Sequence, residues 1–203
     1  EDVPYNQLIM EHIAGDQIAP RLAADGNWNE SRLATAWWWM SQHCHSPVDV
    51  RAYQAEIVDN QIDVLTKAFQ GMTVACARCH DHPGDPMTTE EYYQFTAFYF
   101  DQFREAPKAS AKKIELVIKE PRVLLKGSWR SPGKVVDPGF LQVLMRKDAD
   151  HWLAGSQSKL EGLGQWLTDQ ENGAGQLLSR VIVNRLWHHH FGQGLVKSPN
   201  DFG

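Results

Sequence analysis

Apolar positions in the first half of the chain recur at helical spacing. Asp2 and Pro4 resemble a cap and first turn for NQLIMEHIAG, and the pattern stops at Gly15. After a turn around AADGNWN, Ser31 is placed to cap a second helix through RLATAWWWMSQ. Its three adjacent tryptophans point in three directions, so at least two faces of that helix have to be covered. The third helix is the clearest. Val58, Ile62, Leu65, Phe69 and Met72 recur at spacings of 4, 3, 4 and 3, a one-sided apolar stripe, and Gly71 ends or loosens it.

Thr88 and Glu91 form a capping box for TTEEYYQFTAFYFDQF, whose buried stripe is Tyr92, Phe95, Tyr99 and Phe103. From Ala106 to Pro121 the pattern changes. KIELVIKE alternates as a strand, VLLKG is expected to pair with it, and WRSPGKVVDPG is rich in turn residues. A domain boundary is expected near 106–112, dividing residues 1–107 from 108–203. Helical spacing returns in LEGLGQWLTD and GQLLSRVIVNRLWHHHF, the latter ending at Gly192, with Leu178, Ile182, Leu186 and His189 on one face. The expected fold class is mainly α, with a small β- and turn-rich insertion and a C-terminal helical segment.

Composition changes this picture in few respects. A formal charge of −5 gives no electrostatic case for nucleic acid, and the basic run from Lys108 to Lys113 reads as a solvated linker. No stretch approaches the roughly 18 apolar residues that a membrane span requires. Eight Trp, eight Phe and five Tyr are a heavy aromatic load, explained by a dense core or by a flat cofactor lined with rings. The chain opens on EDVPYNQL, which is no signal peptide, and both ends read as cut from something larger.

Three cysteines are too few for a disulfide scaffold and point to chemistry. Two of them fall in VACARCHDHPGDP as Cys76-Ala77-Arg78-Cys79-His80, the C-x-x-C-H spacing. A c-type haem needs two cysteine sulfurs for thioether bonds to its vinyl groups and an adjacent histidine for its iron, and this spacing supplies all three. Zinc is a rival, with Cys76, Cys79 and either His80 or His82, completed by Cys44 with His43 or His45. The second half of the chain lacks a matching zinc half-site. A thiol redox pair is a further rival, although its usual βαβ setting is missing and the surroundings read as helical. Asp81, His82 and Asp85 form either a polar capping loop or a set of groups that orient the iron ligand or move protons, which makes His82 and Asp81 the candidate catalytic residues. With His80 as proximal ligand, the candidates for the sixth position are His189 and His45, nearly level. Met72, Met87 and the other histidines of HHH rank below them, and an open site stays in play.

GMTVACARCHDHPGDPMTTEEYYQFTAF resembles the cytochrome-like domain called planctomycete cytochrome C or DUF1549. HSPVDVR and DNQIDVLTKAF are similar to the helix preceding its haem motif, and LSRVIVNRLWHHHFGQGLVKSPNDFG is similar to the opening of the companion DUF1553 domain. Pro83 and Gly84 stand where the family usually has a Lys-Phe pair. The resemblance implies an exported protein, periplasmic or on the cell surface, carrying one covalent haem c; it gives no reaction. The expected function is electron transfer with a redox partner protein or other cytochrome subunits. A haem enzyme with an open or displaceable distal site, or a zinc-stabilised interaction domain, are the alternatives.

Overall fold

The structure, a computed structural model, describes residues 2–40, 46–104 and 120–202. Within them lie seven α-helices and one two-stranded sheet, in agreement with a mainly α fold. KIELVIKE, the 106–112 boundary, His43, Cys44 and His45 lie outside the described residues.

Helix α1 (Tyr5–Ala14) takes Pro4 itself as its N-cap, Leu8 N–H donating to the Pro4 carbonyl at 2.9 Å. It stops where the chain has to pass another backbone at close range. A Cβ on Gly15 would stand 1.8 Å from the Ser31 carbonyl oxygen, so only glycine fits. The next helix, α2 (Glu30–Ala34), is capped by Asn29, whose side chain accepts from Arg32 N–H, and passes into a 3-10 turn at Thr35–Trp39. This corrects the expected Ser31 cap and the longer second helix. Ser31 is buried, donating to Glu11 at 3.2 Å and accepting from Arg21 N–H at 2.9 Å. Both Trp37 and Trp38 donate their indole N–H to the His12 carbonyl, tying this turn to α1.

Helix α3 (Val50–Phe69) starts at Asp49, which accepts from Ala52 N–H at 3.0 Å, and buries the expected Val58, Ile62 and Leu65. Its end is Gly71, in the left-handed region at φ 60°. Helix α4 (Thr89–Arg104) opens on the expected capping box, Thr88 Oγ1 accepting from Glu91 N–H at 3.2 Å and Glu91 Oε2 from Thr88 N–H at 2.9 Å. Tyr92, Phe95 and Tyr99 are buried.

Strand β1 (Arg122–Leu124) contains the expected VLLKG start, but its partner is β2 (Pro132–Val135), antiparallel, with Arg122 opposite Val135. The turn-rich stretch therefore holds the second strand. The loop after β1 carries two successive left-handed residues, Lys126 and Gly127, and closes with Ser128 N–H donating to the Leu125 carbonyl at 3.1 Å. Beyond the hairpin come α5 (Asp150–Leu153), α6 (Lys159–Thr168) and α7 (Gly175–Phe191), the last ending at left-handed Gly192 as its sequence implies. The expected buried face of α7 is corrected. Leu186 and His189 are exposed, while Leu178, Val181 and Asn184 are buried. Asn184 turns that face inward because its side chain accepts from Val196 N–H and donates to the Val196 carbonyl, folding the chain after α7 back over it.

One hydrophobic cluster runs through all of this. Phe140, between the hairpin and α5, has its ring centroid 5.2 Å from each of Phe98, Trp152 and Trp166. Most of the aromatic load is thus core, with Trp38, Trp166, Tyr92 and Phe95 among its largest fully buried side chains.

Candidate functional site

The C-x-x-C-H segment begins three residues after Gly71 as a 3-10 turn, Val74–Arg78, with Cys79 as its C-cap. At three residues per turn, positions i and i+3 eclipse one another. Val74 and Ala77 accordingly face the core with no exposure, and Cys76 and Cys79 share the outer edge, both exposed as free thiols. The apolar pair seats the turn and the thiol pair is what it displays.

Arg78, between the cysteines, anchors the segment from behind. Its guanidinium donates to Asp59 Oδ2 of α3 at 3.1 Å and to the Gly127 carbonyl at 3.3 Å, while its own carbonyl accepts from Tyr93 of α4. Tyr92 of α4 donates to the other oxygen of Asp59 at 2.5 Å. Burial works against the charge on Arg78, but the Asp59 carboxylate and the hydroxyls of Tyr92 and Tyr93 together outweigh it, and the guanidinium is held protonated more firmly than usual. Burial pushes Tyr93 up to about 12, and burial together with the neighbouring Asp59 holds Tyr92 well above the usual phenol range, so both phenols stay neutral donors. Nothing in the spacing of Asp59, Arg78 and Tyr92 marked this cluster; it exists only once α3, the 3-10 turn and α4 have packed.

His80 is exposed, and its Nδ1 lies 2.7 Å from the Asp81 carbonyl oxygen. A carbonyl only accepts, so Nδ1 carries a proton, and in the neutral ring the lone pair is on Nε2. His82 is used differently. Its Nδ1 accepts from Asp85 N–H at 2.8 Å and Gly84 N–H at 3.2 Å, which leaves Nε2 to donate to Thr73 Oγ1 at 3.2 Å. The side chain is 7% exposed and holds the DHPGDP loop in shape. Asp81 Oδ1 accepts from Thr89 N–H at 2.8 Å and so satisfies a free amide at the start of α4.

Of the sixth-ligand candidates, His45 lies outside the described residues. Met72 and Met87 are buried in the core cluster. Val181 of α7 lies against Gly71, and one turn later Arg185 donates to the Lys67 carbonyl at 2.7 Å, so α7 runs antiparallel to the end of α3. His189, a further turn on, is exposed. Among the described residues no three His, Cys, Asp or Glu side chains come together to hold a metal ion, and no helix is long and apolar enough to cross a membrane.

Two cavities adjoin the segment. One, of about 430 Å³, lies beside Cys79 under Leu125, Lys126 and Lys134. The other, of about 460 Å³, lies between α3, α4 and the hairpin, with Arg78 in its wall.

A mainly helical protein displaying a C-x-x-C-H turn on its surface is the class that fold and site define. The model of the protein of unknown function DUF1549 (PSCyt2) matches residues 1–105, and the chain belongs to that family. Residues 160–203 match a second protein of unknown function, DUF1553 (PSD1). No match was found among curated proteins or solved structures.

Proposed function

We propose that this chain carries one covalent haem c and works in electron transfer. The observation that supports the reading best is the state of His80: its Nδ1 is fixed on the Asp81 carbonyl and its Nε2 left open, beside two thiols that share one exposed edge. The donor set fits the group. Cys76 and Cys79 would hold it through their sulfurs, and His80 Nε2 would bind its iron with the tautomer and ring plane set by the Asp81 carbonyl. When bound, haem supplies a one-electron couple. The protein's own part is to keep the attachment edge rigid, which Arg78, Asp59 and Tyr93 do from beneath. It also keeps His82 committed to the loop, so that His80 is the imidazole on offer. Attachment of this kind suits an exported protein, periplasmic or on the cell surface, exchanging electrons with a redox protein or further cytochrome subunits.

The test is a denaturing gel stained for haem, run on the chain produced alongside a c-haem attachment system, with optical spectra in both redox states. A stained band at the mass of the chain, absent from Cys76→Ser and Cys79→Ser, is the expected result. A low-spin spectrum indifferent to cyanide supports electron transfer; a high-spin ferric spectrum that shifts with cyanide moves the assignment to a haem enzyme. An unstained chain that retains stoichiometric zinc overturns the proposal.

A further inference from the structure

The cavity between α3, α4 and the hairpin has an uneven charge pattern. Of the three arginines in its wall, Arg78 is paired with Asp59 and Arg122 with Glu120. Arg51 has no carboxylate partner among the described residues. Its guanidinium carbon sits 5.5 Å from the ring centre of Trp129, also in the wall. Trp129 is itself fixed, its indole N–H donating to Asp49 Oδ2 at 3.1 Å and Arg130 stacking on it at 5.3 Å. A guanidinium held on a pinned ring, at a cavity walled by Tyr92, Tyr93 and Phe100 and by the Arg122-paired Glu120, is placed to receive an anion.

We infer that this cavity binds a small organic acid with a flat apolar body, its carboxylate on Arg51 and its ring against Trp129 and the tyrosine wall. The volume, about 460 Å³, lies in the range of small-molecule sites. The guanidinium fork matches a carboxylate in two parallel hydrogen bonds, and the aromatic wall supplies the apolar contact that a simple inorganic anion cannot use. Neither cysteine lines the cavity, although Arg78 between them does.

Naphthalene-2-carboxylate is the probe, titrated calorimetrically into the full chain, with naphthalene-2-carboxamide as its uncharged counterpart. The expected result is saturable one-site binding of the acid and at least about tenfold weaker binding of the amide. Arg51→Gln should weaken the acid by about tenfold or more and leave the amide unchanged, while Arg51→Lys restores part of the loss. Arg51 is exposed in the first turn of α3, and an unaltered circular dichroism spectrum confirms that these variants fold. Absence of saturable binding, equal affinity for acid and amide, or indifference to Arg51→Gln each overturns the inference.

Discussion

Gly71→Ala tests how the segment matching DUF1553 is fastened to the start of the C-x-x-C-H turn. Two costs add. The backbone there is left-handed at φ 60°, which penalises a residue with a Cβ by about 1–2 kcal/mol. The new methyl would also stand 2.8 Å from Phe202 Cδ2 and 3.1 Å from Val181 Cγ2, an overpacking worth about 1–2 kcal/mol when both side chains give by a few tenths of an ångström. The sum is about 2–4 kcal/mol, a fall in Tm of about 4–16 °C for a chain of this size. Urea unfolding followed by circular dichroism measures it. A double-mutant cycle separates the terms, since Phe202→Ala removes the ring but leaves Phe202 N–H donating to the Gly71 carbonyl at 2.7 Å. In the Phe202→Ala background the cost of Gly71→Ala should fall by about 1 kcal/mol. A Gly71→Ala variant within about 0.5 kcal/mol of the parent, or a cost unchanged by Phe202→Ala, refutes the reasoning.

His82→Ala should cost about 0.5–1.5 kcal/mol by removing the acceptor of the Gly84 and Asp85 amides, and hydrogen exchange at those two amides should accelerate; unchanged exchange means the ring does not hold the loop. Gly127→Ala forces a methyl to 2.7 Å from Cys79 Sγ at φ 71°, so it should cost about 1–3 kcal/mol and slow alkylation of Cys79 relative to Cys76, as peptide mapping will show. The bidentate Arg21 guanidinium holds the Glu11 carboxyl below its usual 4.5. Its folded value is the lower one, so the stability it adds is present above pH 4.5 and lost as pH falls below that through the folded value; Glu11→Gln should flatten that acid limb of a stability–pH profile.

The parts of the fold legible in the sequence are those whose buried face is decided within the element. The stripe of α3 and the capping box of α4 are local facts; the box appears as read, and the stripe does as far as Phe69, with Met72 beyond the helix end. Helix α2 was not legible, because three consecutive tryptophans give no one-sided stripe and because Ser31 is drawn into a contact with Glu11 twenty positions away. Strand β2 was hidden by its composition. Pro132, Gly133 and Lys134 show no alternation, and only pairing with β1 makes them a strand. On α7 a count of apolar positions favours the face of Leu186, whereas the chain's return through Val196 onto Asn184 buries the face beside it. At the site, the motif itself was plain. The roles within HDH were not, since a carbonyl and two loop amides decide which imidazole is free.

The thiol edge depends on more than the segment that contains it. Arg78 is held by the Tyr93 hydroxyl, and Tyr93 belongs to α4, the helix whose other residues Phe95 and Phe98 meet Trp166 and Phe140. Phe140 in turn stacks on Trp166, inside the DUF1553 match, while its own residue lies in neither matched segment. Each such ring pair contributes about 0.5–1.5 kcal/mol beyond its buried area, so the few that join these regions are large against a stability of about 5–15 kcal/mol. Glu91 makes the same connection in polar terms, capping α4 with one oxygen and accepting from Gln142 N–H with the other. The helix that steadies the C-x-x-C-H turn is therefore itself steadied by residues beyond the DUF1549 match, and the geometry offered by Cys76, Cys79 and His80 is a property of both matched segments together.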